Sequence, residues 1–154
     1  MGMNEQTELR ELGDLEGPEE VSRLVRAFYA RVYADELLAP IFVEVAGVKM
    51  EDHLPTMERF WTTVLFGHRL YFGNPMLVHR RLDAIQRLEP RHHERWVQLF
   101  ESTVDQLFAG PTAERAKLLG SRINENIQLV LARQHQHDTD STTWSPRGTY
   151  KELL

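Results

Sequence analysis

The chain has 154 residues, a net charge of −5 and a pI near 5.8, with its basic residues dispersed, which argues against a nucleic-acid footprint and against a polybasic membrane patch. Cysteine is absent, so disulfides, thiolate catalysis, zinc knuckles and iron–sulfur clusters are excluded, and a reducing compartment fits. The length suits one domain that buries roughly 70% of its unfolded surface; the acidic start Met1–Glu8 has no apolar signal core, no run reaches the ~18 apolar residues of a membrane span, and the chain reads as cytoplasmic.

Residues 1–17 read as an N-terminal extension. From Pro18 to Ala34, Val21, Leu24, Val25, Phe28, Tyr29 and Val32 recur at three- and four-residue intervals behind an early proline and two acidic residues, which predicts an amphipathic helix. Asp35 to Met50 holds Pro40, Gly47 and the pair Ile41-Phe42 without a sustained period, and reads as a corner with short turns. Helical spacing returns at Asp52, an N-cap with Pro55 in the first turn, and stops at Gly67. His53, Met57, Phe60, Trp61 and Val64 then share one face. Asn74-Pro75 is a cap followed by an N1 proline, and it starts a short helix with Val78, His79 and Leu82 on one side. Pro90 opens a further helix whose stripe is Trp96, Leu99, Phe100, Thr103, Val104, Leu107 and Phe108, ending at Gly110. The last helix spans about 112–133, with Ala116, Leu119, Ile123, Ile127, Val130 and Leu131 in register. No segment alternates like a strand, so the class is all-α. Residues 134–154 read as a polar C-terminal tail, with Trp144 and Tyr150 as its aromatic anchors.

The chemistry concentrates on histidine. A histidine on an apolar helix face is ordinarily a hydrogen-bonded core residue, but the short helix launched by Asn74-Pro75 aims His79 inward, and neutral imidazole is the common protein ligand of haem iron. His53 lies 26 residues earlier, with Met57 and Trp61 following at i+4 and i+8, so its ring faces whatever that stripe buries. Met57, Phe60, Trp61, Val64 and Leu65 offer a flat apolar wall for a porphyrin. Tyr29 and Trp96 place a hydroxyl and an indole N–H on the apolar faces of their own helices, where each needs a partner. Other metal chemistry fits less well: a di-iron bundle needs two Glu-x-x-His motifs, and only Glu89-Pro90-Arg91-His92 matches. Zinc-protease, Walker, dinucleotide and nucleophile-elbow motifs are missing. His68, His92 and His93 read as surface or capping residues at helix ends, and His135-Gln136-His137 as part of the tail.

The ordered set Phe28-Tyr29, Pro40-Ile41-Phe42, His53, Phe60-Trp61, Tyr71, Gly73-Asn74-Pro75, His79 and Arg95-Trp96 resembles the truncated haemoglobins of group III over about residues 18–133. The resemblance implies a two-over-two helical sandwich around haem b, with 18–133 as the truncated globin domain. It implies that His79 is the proximal iron ligand, that Phe42 packs on the porphyrin face, that Tyr29, His53 and Trp96 form a distal polar trio, and that Phe28 and Met57 line the pocket. Trp61 and Leu82, on the same helix faces as His53 and His79, join the cofactor-binding set. Two departures stand out: the 17 residues from His79 to Trp96 exceed the usual connection, and His93 stands where phenylalanine is often found. Arg69, Arg80 and Arg81 are the candidates for pairing with propionates.

By the same resemblance the expected activity is reversible binding of dioxygen, nitric oxide or another diatomic ligand, with nitric oxide dioxygenase or peroxidase-like detoxification as a secondary activity served by a reductase. The rival within haem chemistry has His53 ligating the iron, a six-coordinate state suited to sensing or electron transfer. A non-haem helical binding module is the reading from a different class. No nucleic-acid or membrane partner is expected.

Overall fold

Proline opens four of the five α-helices found among residues 11–47 and 49–138, the residues described by the computed structural model: α1 (Pro18–Ala34), α3 (Pro75–Ile85), α4 (Pro90–Leu107) and α5 (Pro111–Asp138), with α2 (Met50–Phe66) as the exception. At a helix's first position proline forfeits an N–H that has no intrahelical acceptor anyway, so these starts are inexpensive and sharply placed. Every regular element among the described residues is helical, and none of the helices is long and apolar enough to cross a membrane.

α1 buries Val21, Leu24, Val25, Phe28, Tyr29 and Val32, the stripe the spacing predicts. The segment before it is not loose. The Asp14 carboxylate accepts from the backbone N–H groups of Thr112 and Ala113 at 2.9 and 2.7 Å, capping α5, and Leu15 is buried beside it. Burial works to raise the Asp14 pKa, but these bonds and one from Leu15 N–H outweigh it and hold the carboxyl below its usual range.

Helix α2 starts two residues before the expected Asp52 cap. The N–H groups of Asp52 and His53 both reach the Lys49 carbonyl, at 3.1 and 3.0 Å, closing an extra turn. Pro55 consequently lies inside the helix rather than in its first turn. Gly67 ends α2 in the left-handed conformation at φ 71°, as its position implies. The corner before α2 contains a regular element that periodicity does not reveal, a π-helical turn at Ile41–Val45 with Ile41 buried.

α1 packs on α2 and α4, and α4 packs on α5, which gives the expected all-α, two-over-two arrangement. The seam is aromatic. Phe100 of α4 lies between Trp61 and Trp96 in near-parallel stacks, at centroid distances of 4.7 and 5.0 Å, and Phe28 meets Trp96 edge-on at 4.9 Å. Gly120 of α5 is required here, because a Cβ on it would stand 2.9 Å from the Phe100 ring.

α3 packs on α5 alone among its stronger contacts, and α5 runs on to Asp138, past the expected end at 133. That extension braces α3: Arg80 Nε donates to Gln134 Oε1 at 3.2 Å, and His135 Nε2 lies 2.7 Å from Asp83 Oδ2. The other Asp83 oxygen accepts from Leu88 N–H at 2.7 Å, so one buried carboxylate ties together α3, the loop after it and the end of α5. His135 therefore belongs to the packed helix rather than to a tail. Trp144 and Tyr150 lie outside the described residues.

Candidate functional site

A cavity opens between the histidine-bearing helices α2 and α3, closed off by α1, α4 and α5. Tyr29, Phe42, His53, Met57, Trp61, His79, Leu82 and Trp96 all line it. The structure thus brings together eight of the nine residues expected at the site, including Trp96 despite the long connection before it. Phe28 is the exception: it lies in the core, edge-on to Tyr29, Trp96 and Phe100, where it backs two lining residues without lining the cavity itself.

His79 is set by its own helix. Asn74 caps α3 by accepting from Leu77 N–H at 3.1 Å, and Pro75 fills the first position. One turn later His79 Nδ1 lies 2.7 Å from the Pro75 carbonyl. A carbonyl only accepts, so Nδ1 carries the proton and Nε2 keeps its lone pair. Burial lowers the His79 pKa, partly offset by this bond, which keeps the ring neutral near pH 7.

His53 presents the opposite case. It is buried, and neither ring nitrogen has a partner. Its ring stands edge-on to Tyr29 at 4.6 Å and to Phe42 at 6.0 Å. Burial, with a smaller contribution from His79, pushes its pKa down to about 4. An unpaired buried polar group costs about 1–3 kcal/mol, and a water or a bound ligand can supply its partner. Tyr29 is buried as well, and that burial, with Tyr33 adding to it, raises its pKa, so the phenol keeps its proton. Trp96 also lines the cavity, held against Phe100.

The corner that carries Phe42 is anchored from α4. Arg95 Nε donates to Asp35 Oδ1 at 2.7 Å, while Oδ2 accepts from the N–H groups of Leu37 and Leu38. Burial tends to raise the Asp35 pKa, but Arg95 and the Leu38 and Leu37 amides prevail and lower it.

The wall built by α4 and α5 holds what the sequence reading missed. His92 and His93 are buried and line the cavity, not surface residues. The capping half of that reading holds for His92, whose Nδ1 accepts from Glu89 N–H at 2.9 Å in a capping box. His93 pairs with Asn124 of α5 across 3.2 Å. Both signals were present in the spacing: His92 and His93 fall four and three residues before Trp96, and Asn124 lies between Gly120 and Ile127 on the inner face of its helix. Among the arginines, Arg69 is exposed, Arg80 is engaged with Gln134, and Arg81 has a buried Nε without a partner.

Residues 13–125 match the family model described as bacterial-like globin. A group 3 truncated haemoglobin of Campylobacter jejuni is 29% identical over 116 residues, covering 71% of this chain and 89% of its own. The crystal structure of a group III truncated haemoglobin from the same organism superposes with a TM-score of 0.70 at 23% identity, over 79% of this chain and 95% of the other, a likeness of fold.

Proposed function

The chain belongs to the bacterial-like globin family, a family of haem-binding proteins that take small diatomic ligands, and on that premise we propose that it holds haem b through His79 and receives dioxygen on the side walled by Tyr29, His53 and Trp96. The observation that carries the reading is the pairing of two imidazoles in one cavity. His79 has its tautomer fixed with Nε2 left as a ligand, and His53 is buried with both nitrogens unpartnered.

The residues present fit the group. An apolar slot lined by Phe42, Met57, Trp61 and Leu82 suits a porphyrin, and it leaves His79 Nε2 as the nitrogen for iron. Arg81, with its orphaned Nε, is the arginine that a propionate would satisfy. When bound, haem supplies an iron centre that coordinates a diatomic gas reversibly. The chain supplies the selectivity. Tyr29 O–H, Trp96 N–H and one N–H of neutral His53 are donors in a low-dielectric enclosure, so a ligand that draws negative charge is favoured over one that does not, by about 0.5–1.5 kcal/mol for each net hydrogen bond. Dioxygen is thereby favoured over carbon monoxide. The same donors favour charged oxygen species generally, which supports nitric oxide or peroxide detoxification as a secondary activity fed by a reductase.

The unpartnered His53 supports a second reading in which its own nitrogen takes the sixth position at iron, the resting state of a sensor or electron carrier. Absorption spectra of the reconstituted protein separate the two. A high-spin ferrous form that converts to a stable oxygenated form supports gas binding, and a low-spin bis-histidine form abolished by His53→Leu supports the second reading. A folded protein that takes up no haem would overturn both.

A further inference from the structure

The cavity is lined by two imidazoles that neither reading employs, those of His92 and His93, and the Nδ1 of His92 is already committed to the Glu89 N–H. His93 lies one turn before Trp96 on α4, is only 5% exposed, and lines the same cavity as His79. Its Nδ1 is 3.2 Å from Asn124 Oδ1. The amide is oriented by a second bond, since Asn124 Nδ2 donates to the Gly120 carbonyl at 2.9 Å, a contact only the amide nitrogen can make. The oxygen therefore faces His93, Nδ1 carries the proton, and Nε2 is a buried lone pair with no partner. This is the electronic state of His79, reproduced on another helix by a different acceptor.

A buried acceptor without a donor costs about 1–3 kcal/mol, and the cavity that His93 lines also carries the apolar side chains of Leu82, Leu88, Ile123 and Ile127. A hydrocarbon side chain would avoid that cost unless the nitrogen meets something in the cavity. With its proton committed to Asn124, the neutral ring has none to offer a carboxylate, and what it offers is a lone pair. Burial, its largest influence, lowers the His93 pKa and favours this neutral state.

We propose that His93 is a reserve iron ligand: when the bond from His79 Nε2 breaks, the Nε2 lone pair of His93 forms a bond in its place and the haem is retained. Both rings keep their Nδ1 protons, so the exchange moves no proton and changes no oxidation state. The inference rests on the haem reading above.

The test uses the full chain reconstituted with haem, as His79→Gly, His93→Phe and the double variant. His79→Gly is expected to keep its haem with an iron–histidine stretching band in resonance Raman, shifted from that of the wild type. The double variant is expected to lose that band and to release haem to an acceptor globin faster. Circular dichroism checks the fold, and His79→Leu replaces His79→Gly if glycine unwinds α3. Identical spectra and release rates for the single and double variants would overturn the proposal. So would a His79→Gly protein that holds haem only when imidazole is added. Failure of the wild type to take up haem would overturn the globin function as well, which distinguishes the two failures.

Discussion

His53→Leu measures the consequence of burying an imidazole with no partner. Burial depresses the His53 pKa from 6.5 to about 4, with His79 contributing less. The folded chain therefore keeps the ring neutral at pH values where the unfolded chain protonates it. Stability from this source is whole above about pH 6.5 and is lost as the pH falls towards 4, because the unfolded state gains a proton that the folded state refuses. At 1.36 kcal/mol per pKa unit, the depression amounts to about 3 kcal/mol by the acid end of that window. Leucine removes this pH-dependent loss, and at about pH 7 it also removes the orphaned nitrogens, so the variant should be more stable by about 1 kcal/mol or more. Urea unfolding of the haem-free full chain, repeated between about pH 7 and pH 4, reads both effects. His79, His92 and His93 also have depressed pKa values but are common to both proteins, so the difference in slope isolates His53. Parallel pH profiles for wild type and variant would refute the assignment of His53 as buried and neutral.

Three further substitutions probe other parts of the structure. Tyr29→Phe removes one donor from the ligand side, and at about 0.5–1.5 kcal/mol oxygen dissociation should quicken roughly two- to tenfold while carbon monoxide dissociation changes little; stopped-flow traces that match the wild type would discount the donor role. Asp83→Ala leaves Leu88 N–H and His135 without their shared acceptor and should cost about 1.5–3 kcal/mol in urea unfolding, with faster haem release because the brace on α3 is gone. An unchanged midpoint would mean that α3 is held by other contacts. Phe100→Ala empties the space between Trp61 and Trp96 and should cost about 3–5 kcal/mol, and a loss well below that range would show that the two indoles close on each other without it.

How far the sequence led can be judged helix by helix. α3 was legible because its cap, its N1 proline and its histidine fall within six consecutive residues, all local chemistry. The start of α2 was not, because Asp52 is the better cap by residue type, while the chain closes a turn earlier on the Lys49 carbonyl through backbone bonds that residue identity does not specify. The π-helical turn at Ile41–Val45 has no periodic pattern to detect, and its placement depends on burying Ile41 against Leu88, Ile127 and Leu131 from distant segments. The α4–α5 wall went unread for a different reason. His93 carries meaning only beside Asn124, 31 residues away, and a sequence reading that judges each histidine by its distance from a helix end cannot see that pair.

Histidine rings differ here in how firmly their tautomers are held, and that difference orders their roles. His79 bonds to a carbonyl of its own helix at 2.7 Å, so its tautomer is fixed wherever α3 goes and needs no neighbouring element. His93 relies on an amide from another helix at 3.2 Å, so its tautomer is fixed only while α4 and α5 stay packed. His53 has no holder, and either nitrogen can carry its proton. A metal ligand gains from the first arrangement, because a free energy of 1.4 kcal/mol between tautomers already makes the ligating form tenfold dominant. A group facing an exchangeable gas gains from the last, since a ring with both nitrogens uncommitted can donate to one ligand and accept from another. The proline that starts α3 thus does more than begin a helix: its carbonyl, one turn below His79, selects which ring nitrogen keeps its lone pair.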